Sequence, residues 1–324
     1  MRLFIVLFIF TLSACTEAPQ ADHQADQQAS QATAPPETPY LMILGIGQDG
    51  GAPQTGSHLD PRWADQANAH FATSLGLVNP ATGQRWMFEA TPDFREQWYT
   101  LDTQAGLREK RVPDGIFLTH AHIGHYTGLM FLGHESVGAQ GVTVFAFPKM
   151  ATYLTENGPW SQLVAYGNIA LMHLSPEEAV PLADNLSVTP FLVPHRQEFA
   201  ETAGYIINGP NKRVGFIPDI DSWEKWDSTG MGLEGFLNAV DSAYIDATFY
   251  ADGEIPGRDM SGFPHPFISH TMSRLSQASA ETKAKVIFIH LNHTNPALDP
   301  DSPEVQLIKN AGFRVASPGE ILEL

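Results

Sequence analysis

Three histidines lie within six residues in the segment THAHIGHYTG, which directly follows the apolar run GIFL. His120, His122 and His125 therefore stand where a strand is expected to end and a loop to begin, a position that rigid scaffolds use to present ligands. Imidazole nitrogens bind zinc and related transition metals. A surface cluster of polar histidines is the alternative, but three histidines at one strand end favour a metal site.

Further side chains of metal-binding type follow other apolar runs. His195 occurs in FLVPHR, Asp219 in FIPDID, and His290 and His293 in VIFIHLNH. Any one of these residues alone is more often part of a core or a loop. Because four predicted strand ends each carry such a side chain, we expect them to share one metal centre.

The elements that position these residues are short apolar runs closed by glycine, proline or polar turns. Strands are predicted for YLMILGIG, TSLGLVN, RWMFEA, GIFLTH, VTVFAF, SVTPFLVP, GYIINGP, RVGFIPD, SAYIDATF and KVIFIHL. Helices are predicted for Phe94 to Thr103, Lys149 to Glu156, Trp223 to Val240, Thr271 to Ala280 and Ser302 to Ala311. Strands with interspersed helices predict a layered α/β architecture with two sheets, in one domain over residues 40–324.

The first residues, MRLFIVLFIFTLSAC, have the layout of an export signal, with Arg2 before an apolar run and small residues before Cys15. The run is too short for an ordinary transmembrane span. Because LSAC resembles a bacterial lipobox, we predict a lipoprotein signal over residues 1–15 with lipidation of Cys15; an ordinary cleaved signal is the alternative. Cys15 is the sole cysteine, which excludes an internal disulfide.

Residues 16–39 are rich in Ala, Gln, Asp and Pro and nearly free of large apolar side chains, which predicts a disordered tether. We therefore expect a protein of the bacterial cell envelope, lipid-anchored and facing the periplasm, with the outer membrane as the expected membrane. The formal net charge of -18 and the lack of a clustered basic footprint argue against nucleic acid as a partner. The expected partner is a small-molecule substrate, with membrane contact only through the N-terminal anchor.

The order of HAHIGH, a distant His, an Asp and a terminal His resembles the metallo-β-lactamase fold superfamily, whose signature is H-x-H-x-D-H followed by His, Asp and His. The fold of that superfamily is an αββα sandwich with metals at one edge between the sheets. Within it, the chain is most similar to the pyrroloquinoline quinone biosynthesis protein B family. The similarity is carried by LGIGQDGGAPQ at 44–54, FEATPDFREQ at 88–97, IDATFYADGE at 245–254, PHPFIS at 264–269 and HLNHTNPALDPDSPE at 290–304.

This resemblance implies a zinc centre of one or two ions, with iron or manganese as alternatives. A first site would use His120, His122 and His195. A second site would use His125 and a histidine of the HLNH segment, with Asp219 bridging the two sites. The resemblance assigns His290 as this last ligand and leaves His293 as a possible additional one.

Gly124 departs from the superfamily signature, because it stands where an Asp would bind the second metal. Asp49, in the glycine-rich turn GQDGG, is a possible replacement ligand because glycines let the backbone come close to the metal edge. The alternative, which turn composition favours, is that Asp49 only accepts backbone hydrogen bonds. The chain also keeps all three histidines of a cluster that is typically degraded in the quinone family, so it resembles the hydrolytic members more.

The resemblance implies metal-assisted hydrolysis of an ester, lactone, amide or phosphodiester by an activated water that Asp219 holds. His265, in PHPFIS, is the candidate proton donor or oxyanion partner, whereas His270 is expected to be structural. Glu89 is expected to fix the ligand loop by hydrogen bonds. Two other functions stay open: an iron-dependent oxidoreductase, and a non-catalytic periplasmic carrier of a quinone-like small molecule.

Overall fold

The computed structural model describes residues 35–196 and 198–324. The predicted export signal, Cys15 and most of the predicted tether lie outside these residues. Among the residues that the structure describes, no helix has both the length and the apolar character needed to cross a membrane.

Two mixed seven-stranded sheets form the centre of the fold. The strands are β1 (Tyr40–Gly45), β2 (Ser74–Asn79), β3 (Gln84–Phe88), β4 (Gly115–Phe117), β5 (Val142–Ala146), β6 (Ile169–His173), β7 (Val180–Ala183), β8 (Leu186–Leu192), β9 (Ala203–Asn208), β10 (Arg213–Ile217), β11 (Ser242–Asp246), β12 (Val286–Ile289), β13 (Arg314–Val315) and β14 (Ile321–Glu323). The first sheet has the order β14-β1-β2-β3-β4-β5-β6, and the second has the order β13-β12-β11-β10-β9-β8-β7.

Helices flank the sheets and connect the parallel strands. They are α1 (Phe94–Gln104), α2 (Ile123–Tyr126), α3 (Pro148–Glu156), α4 (Trp160–Ala165), α5 (Trp223–Thr229), α6 (Gly232–Ala239), α7 (Ile268–Arg274), α8 (Ala280–Ala284) and α9 (Pro303–Asn310). Short 3-10 segments cover Pro61–Trp63, Gln66–Asn68, Thr127–Leu132 and Pro296–Leu298.

The sheets face each other across an aromatic core. Phe88 and Phe117 of the first sheet stack with ring centroids 5.0 Å apart, and Phe88 lies edge-on to Tyr205 and Phe216 of the second sheet, at 5.5 and 6.1 Å. The opposite face of the first sheet packs its buried side chains, such as Met87, against α1. Because both faces of the central strands are buried, their sequences are continuous apolar runs. The predicted α/β sandwich with two sheets is confirmed.

Strand direction brings the predicted ligands to one edge. In the second sheet, β10, β11 and β12 are parallel, so the residues after their carboxyl ends lie side by side. In the first sheet, β3, β4 and β5 are parallel in the same way. Side chains that follow parallel strands therefore converge at a single edge of the sandwich, as in other open α/β sheets.

All ten predicted strands are present, and three of the five predicted helices match α1, α3 and α9 within a residue or two. The helix predicted over 223–240 is wrong, because the chain breaks between α5 and α6 at Gly230 and at Gly232, whose φ is +68°. The helix predicted over 271–280 is also wrong. Helix α7 ends at Arg274, and a new helix starts after Ser279, whose side chain accepts a hydrogen bond from the Thr282 N–H.

Candidate metal centre

Three histidines form one group of possible ligand atoms. His120 follows β4, His122 precedes α2, and His195 follows β8. His122 Nδ1 lies 2.8 Å from His120 Nε2 and 3.3 Å from His195 Nε2. These atoms fall within 4.8 Å of one another, close enough to hold one ion. Three imidazole nitrogens with an open fourth position are the ligand type of catalytic zinc sites.

A second group lies beside the first. It combines His125 of α2, His290 after β12, and Asp49 in the turn after β1, again within 4.8 Å of one another. Asp49 Oδ1 is 3.3 Å from His125 Nε2. Within residues 35–196 and 198–324, the Asp49 carboxylate faces His125 and accepts no backbone hydrogen bond, so the structure does not show the backbone-capping role that its turn composition favours.

Asp219, after β10, stands between the two groups. Its Oδ2 is 3.0 Å from His125 Nε2, 3.3 Å from His290 Nε2 and 3.7 Å from His120 Nε2, and its Oδ1 is 3.7 Å from His195 Nε2. Burial raises the pKa of this carboxyl, but the surrounding histidines, His290 first, lower it well below its ordinary value. The side chain is therefore ionised and placed to bridge both groups.

Three of these atoms are buried and close together: Asp219 Oδ2 lies 3.0 Å from His125 Nε2 and 3.3 Å from His290 Nε2, and none of the three forms a well-directed hydrogen bond within the described residues. All three converge on one point, and a shared cation would satisfy them together. The nitrogen and oxygen donors suit zinc, so the residues present fit the metal that the sequence predicts.

The other ring nitrogen of each histidine faces an acceptor. His125 Nδ1 is 3.2 Å from Glu89 Oε1, His195 Nδ1 is 3.2 Å from Asp221 Oδ1, and His122 Nε2 is 3.2 Å from Glu198 Oε2. Such outer carboxylates fix the imidazole tautomer and leave the opposite lone pair free for a metal.

Two threonine hydroxyls fix the tautomers of the remaining rings, those of His120 and His290. The Thr119 hydroxyl donates to Glu89 and so accepts from His120 Nδ1 at 2.9 Å. The Thr248 hydroxyl donates to Asp246 Oδ1 at 2.8 Å and so accepts from His290 Nδ1 at 3.0 Å. In each ring the Nε2 lone pair then points into the centre.

The histidines differ in the direction in which their surroundings shift their pKa values. Burial lowers the pKa of His120 well below its ordinary value, and burial likewise lowers the pKa of His290. Burial also acts to lower the pKa of His125, but the carboxylates of Glu89, Asp219 and Asp49 raise it well above its ordinary value. In the absence of a metal, His125 is therefore the ring that carries a proton at neutral pH.

Backbone strain concentrates at this centre. Asp49, Glu89 and His290 adopt left-handed conformations with φ of +36°, +77° and +66°. A residue with a side chain is held there at a cost of about 1 to 3 kcal/mol, and such residues cluster at functional sites.

His265 reaches the centre from the side, whereas His293 does not reach it. His265 Nδ1 is 2.9 Å from Asp246 Oδ2 and 3.5 Å from Asp219 Oδ1. Of the two histidines in the HLNH segment, the structure places His290 in the second group. His293, named as a possible additional ligand, points instead to Asn292 Oδ1 at 3.0 Å and lines a separate cavity of about 580 Å³.

Sequence reasoning did not assign roles to the outer partners of these rings, namely Thr119, Glu198, Asp221, Asp246 and Thr248. Asp246 and Asp221 carried a usable signal, because each is a carboxylate at or just after a strand end in an otherwise apolar run. Glu198 lies in an irregular, exposed loop and carried none.

Two facing sheets with an imidazole-rich centre at their shared edge are the architecture of the metallo-β-lactamase fold. Residues 84–319 match the model of the beta-lactamase superfamily domain, and the chain belongs to that family.

Among characterised relatives, the chain is similar to coenzyme PQQ synthesis protein B. It is 28% identical over 308 residues to that protein of Xanthomonas campestris pv. campestris, covering 86% of this chain and 98% of the relative. It is 25% identical over 310 residues to that of Methylorubrum populi, covering 88% and 100%. The similarity thus extends over nearly the whole length of the relatives.

Solved structures show the same fold. Zinc-bound PqqB from Methylobacterium extorquens superposes with a TM-score of 0.70 at 22% identity, covering 88% of this chain and 100% of that one. A diphosphatase of the PhnP family gives a TM-score of 0.60 at 20% identity, covering 88% and 97%. Human tRNase Z, short form, gives 0.52 at 14% identity, covering 88% and 98%.

Proposed function

We propose that this protein is a zinc-dependent hydrolase of a small molecule with an ester, lactone, amide or phosphodiester bond. The observation that carries the proposal is the pair of ligand groups joined by Asp219, with three buried atoms that form no well-directed hydrogen bond within the described residues. A zinc-bound relative of the same fold supports the choice of metal, and the diphosphatase and tRNase Z neighbours support hydrolysis.

His120, His122 and His195 would hold the catalytic ion, with Asp219 beside them. Zinc bound there supplies Lewis acidity and lowers the pKa of a coordinated water toward neutrality. Asp219 contributes a fixed negative charge between the two groups and orients what binds there. Glu198 and Asp221 keep two of the rings in the tautomer that binding requires.

His265 is the proton donor in this proposal. Burial lowers the pKa of His265, but the adjacent Asp246 raises it above its ordinary value, which favours the protonated ring. His265 also lines a cavity of about 330 Å³ together with Phe263, Phe267 and His270. The ring therefore connects the metal centre to a cavity of the size that a small substrate needs, and can pass a proton to a leaving group there.

Metal analysis and substrate turnover test the function together. The full-length chain, purified in detergent without a histidine tag, is expected to contain zinc and to hydrolyse at least one of bis(p-nitrophenyl) phosphate, p-nitrophenyl acetate or an acyl lactone. His120→Ala should lose metal and turnover together. Iron as the resident metal would move the assignment to the oxidoreductase alternative, and metal-loaded protein that turns over none of the probes would support the carrier.

The role of His265 has a matched control in His270, which lines the same cavity but is exposed and stacks on Phe267 at 4.7 Å. His265→Gln should lower kcat about 10²- to 10⁴-fold with unchanged zinc content, and His270→Gln should leave kcat within a few fold. Equal effects of the two substitutions would exclude His265 as the proton donor.

The proposed location is the bacterial cell envelope, with Cys15 as the lipid attachment site. It is supported by the residue pattern of the first fifteen positions alone.

A further inference from the structure

We propose that Asp49 supplies the carboxylate that the signature position lacks, so that the centre holds two ions, and that Gly124 is the residue that makes this possible. The second ion would be bound by Asp49, His125 and His290, with Asp219 shared. This inference rests on the metal centre of the proposed function, but it concerns the number of ions and the source of a ligand.

The first observation is the position of the Asp49 carboxylate. Its Oδ1 lies 3.3 Å from His125 Nε2, and Asp49, His125 and His290 each offer a ligand atom to one group within 4.8 Å. The side chain is 46% exposed, so it approaches from the open side of a centre whose other ligands are buried. Two imidazoles and a bridging carboxylate give three protein ligands, and Asp49 would supply the fourth of a tetrahedral site.

The second observation is the space around Gly124. A Cβ atom added to Gly124 would lie 2.3 Å from Asp49 Cα, 2.5 Å from Asp49 Oδ1 and 2.9 Å from Asp49 Cβ. The nearest of these atoms is backbone, which cannot move away as a flexible side chain can. The turn that carries Asp49 and an aspartate at position 124 therefore exclude each other. Gly124 therefore leaves the space that the Asp49 turn occupies.

The third observation is that the turn is held in place by the segment that carries His290. The Gln48 N–H donates to the Leu291 carbonyl at 2.8 Å, and the Leu291 N–H donates to the Ile46 carbonyl at 2.8 Å. Asp49 itself is left-handed, with φ of +36°, which costs free energy that a surface turn would avoid by using glycine. Adjacent hydrogen bonds thus fix Asp49 and His290 relative to each other.

Zinc stoichiometry tests the proposal. The full-length chain is stripped with a chelator, titrated with zinc, and analysed for metal per chain; cobalt titration followed by visible absorption gives an independent end point. We expect two equivalents for the unchanged protein and one for both Asp49→Ala and Gly124→Ala. Asp65→Ala, on the same loop, and Gly262→Ala, where an added Cβ meets nothing within 4 Å, should keep two equivalents.

The outcomes separate this inference from the proposed function. Two equivalents in Asp49→Ala, or a single equivalent in the unchanged protein, would overturn the inference and leave a mononuclear hydrolase intact. No bound metal in the unchanged protein would overturn the proposed function itself. If circular dichroism shows that Gly124→Ala does not fold, Asp49→Ala decides alone.

Discussion

Glu89 offers a direct test of how the outer contacts support the metal centre. Its side chain is fully buried, accepts a hydrogen bond from the Thr119 N–H at 3.2 Å, and lies 3.2 Å from His125 Nδ1. Burial raises the pKa of this carboxyl, and its charge raises that of His125. Glu89→Gln keeps the size of the side chain and one acceptor oxygen but removes the charge that orients and polarises His125.

The expected magnitude follows from the number of contacts that change. Glu89→Gln alters the outer partner of His125 directly and that of His120 indirectly, through the Thr119 hydroxyl. Loss of one such partner typically weakens metal binding about 10- to 100-fold, or by about 1.4 to 2.7 kcal/mol. The ion bound by His125 should be affected most, because that ring contacts Glu89 directly. Because the charge of Glu89 raises the pKa of His125, the variant should also release fewer protons when zinc binds near neutral pH.

Zinc titration calorimetry in buffers of different ionisation enthalpy measures both quantities. Glu254→Gln is the matched control, because Glu254 also accepts from a backbone N–H and a threonine hydroxyl, those of Tyr250 and Thr294, but has no hydrogen bond to a histidine. Unchanged zinc affinity and proton release in Glu89→Gln, or an equal change in Glu254→Gln, would refute the reasoning.

Other expectations concern ligand choice, acid stability and location. His290→Ala should lower bound zinc by one equivalent while His293→Ala should not, as elemental analysis can show; the reverse result would shift the ligand to His293. Burial raises the pKa of Asp221, but contacts with His195 and Lys225 lower it from 3.8 to about 2, so its stabilisation is present above about pH 4 and is lost as the pH falls toward 2. In denaturant titrations of the metal-free protein at pH 7, Asp221→Asn should therefore have a lower free energy of unfolding than the unchanged chain. This difference in free energy should narrow below pH 4, and a difference that stays constant with pH would contradict the prediction. Cys15→Ser should release the protein from membrane fractions, and unchanged partitioning in fractionated cells would count against lipidation.

The interior of the sandwich could be predicted from sequence because its strands are buried on both faces and therefore read as apolar runs. The strands that were missed, β6, β7, β13 and β14, are the edges of the two sheets. Their residues are partly exposed and mixed in character, for example burial varies along IALMH in β6. These segments become strands because they pair with a neighbouring strand, and sequence periodicity does not encode that pairing.

The grouping of the candidate ligand rings could also be predicted, because His120, His195 and His290 each follow an apolar run. The position of Asp49 could be suggested but not decided, since a turn aspartate has the same local sequence whether it caps the backbone or faces a metal. Sequence also could not supply the close approach of the Gly124 and Asp49 backbones, where a Cβ at Gly124 would lie 2.3 Å from Asp49 Cα; these residues are far apart in the chain. The outer partner Glu198 could not be predicted, because nothing in its loop distinguishes it from an exposed acid.

The pairing of the Asp49 turn with the segment after β12 also has a consequence for how the chain folds. His120, His122 and His125 are neighbours in sequence, whereas Asp49 and His290 come together only when the beginning and the end of the domain meet. Contacts that close so long a loop carry a large entropic cost and form late. An ion bound there stabilises only the completed fold, by an amount set by its free concentration. Zinc supply would then govern how long the folded molecule survives in its surroundings as well as whether it can act.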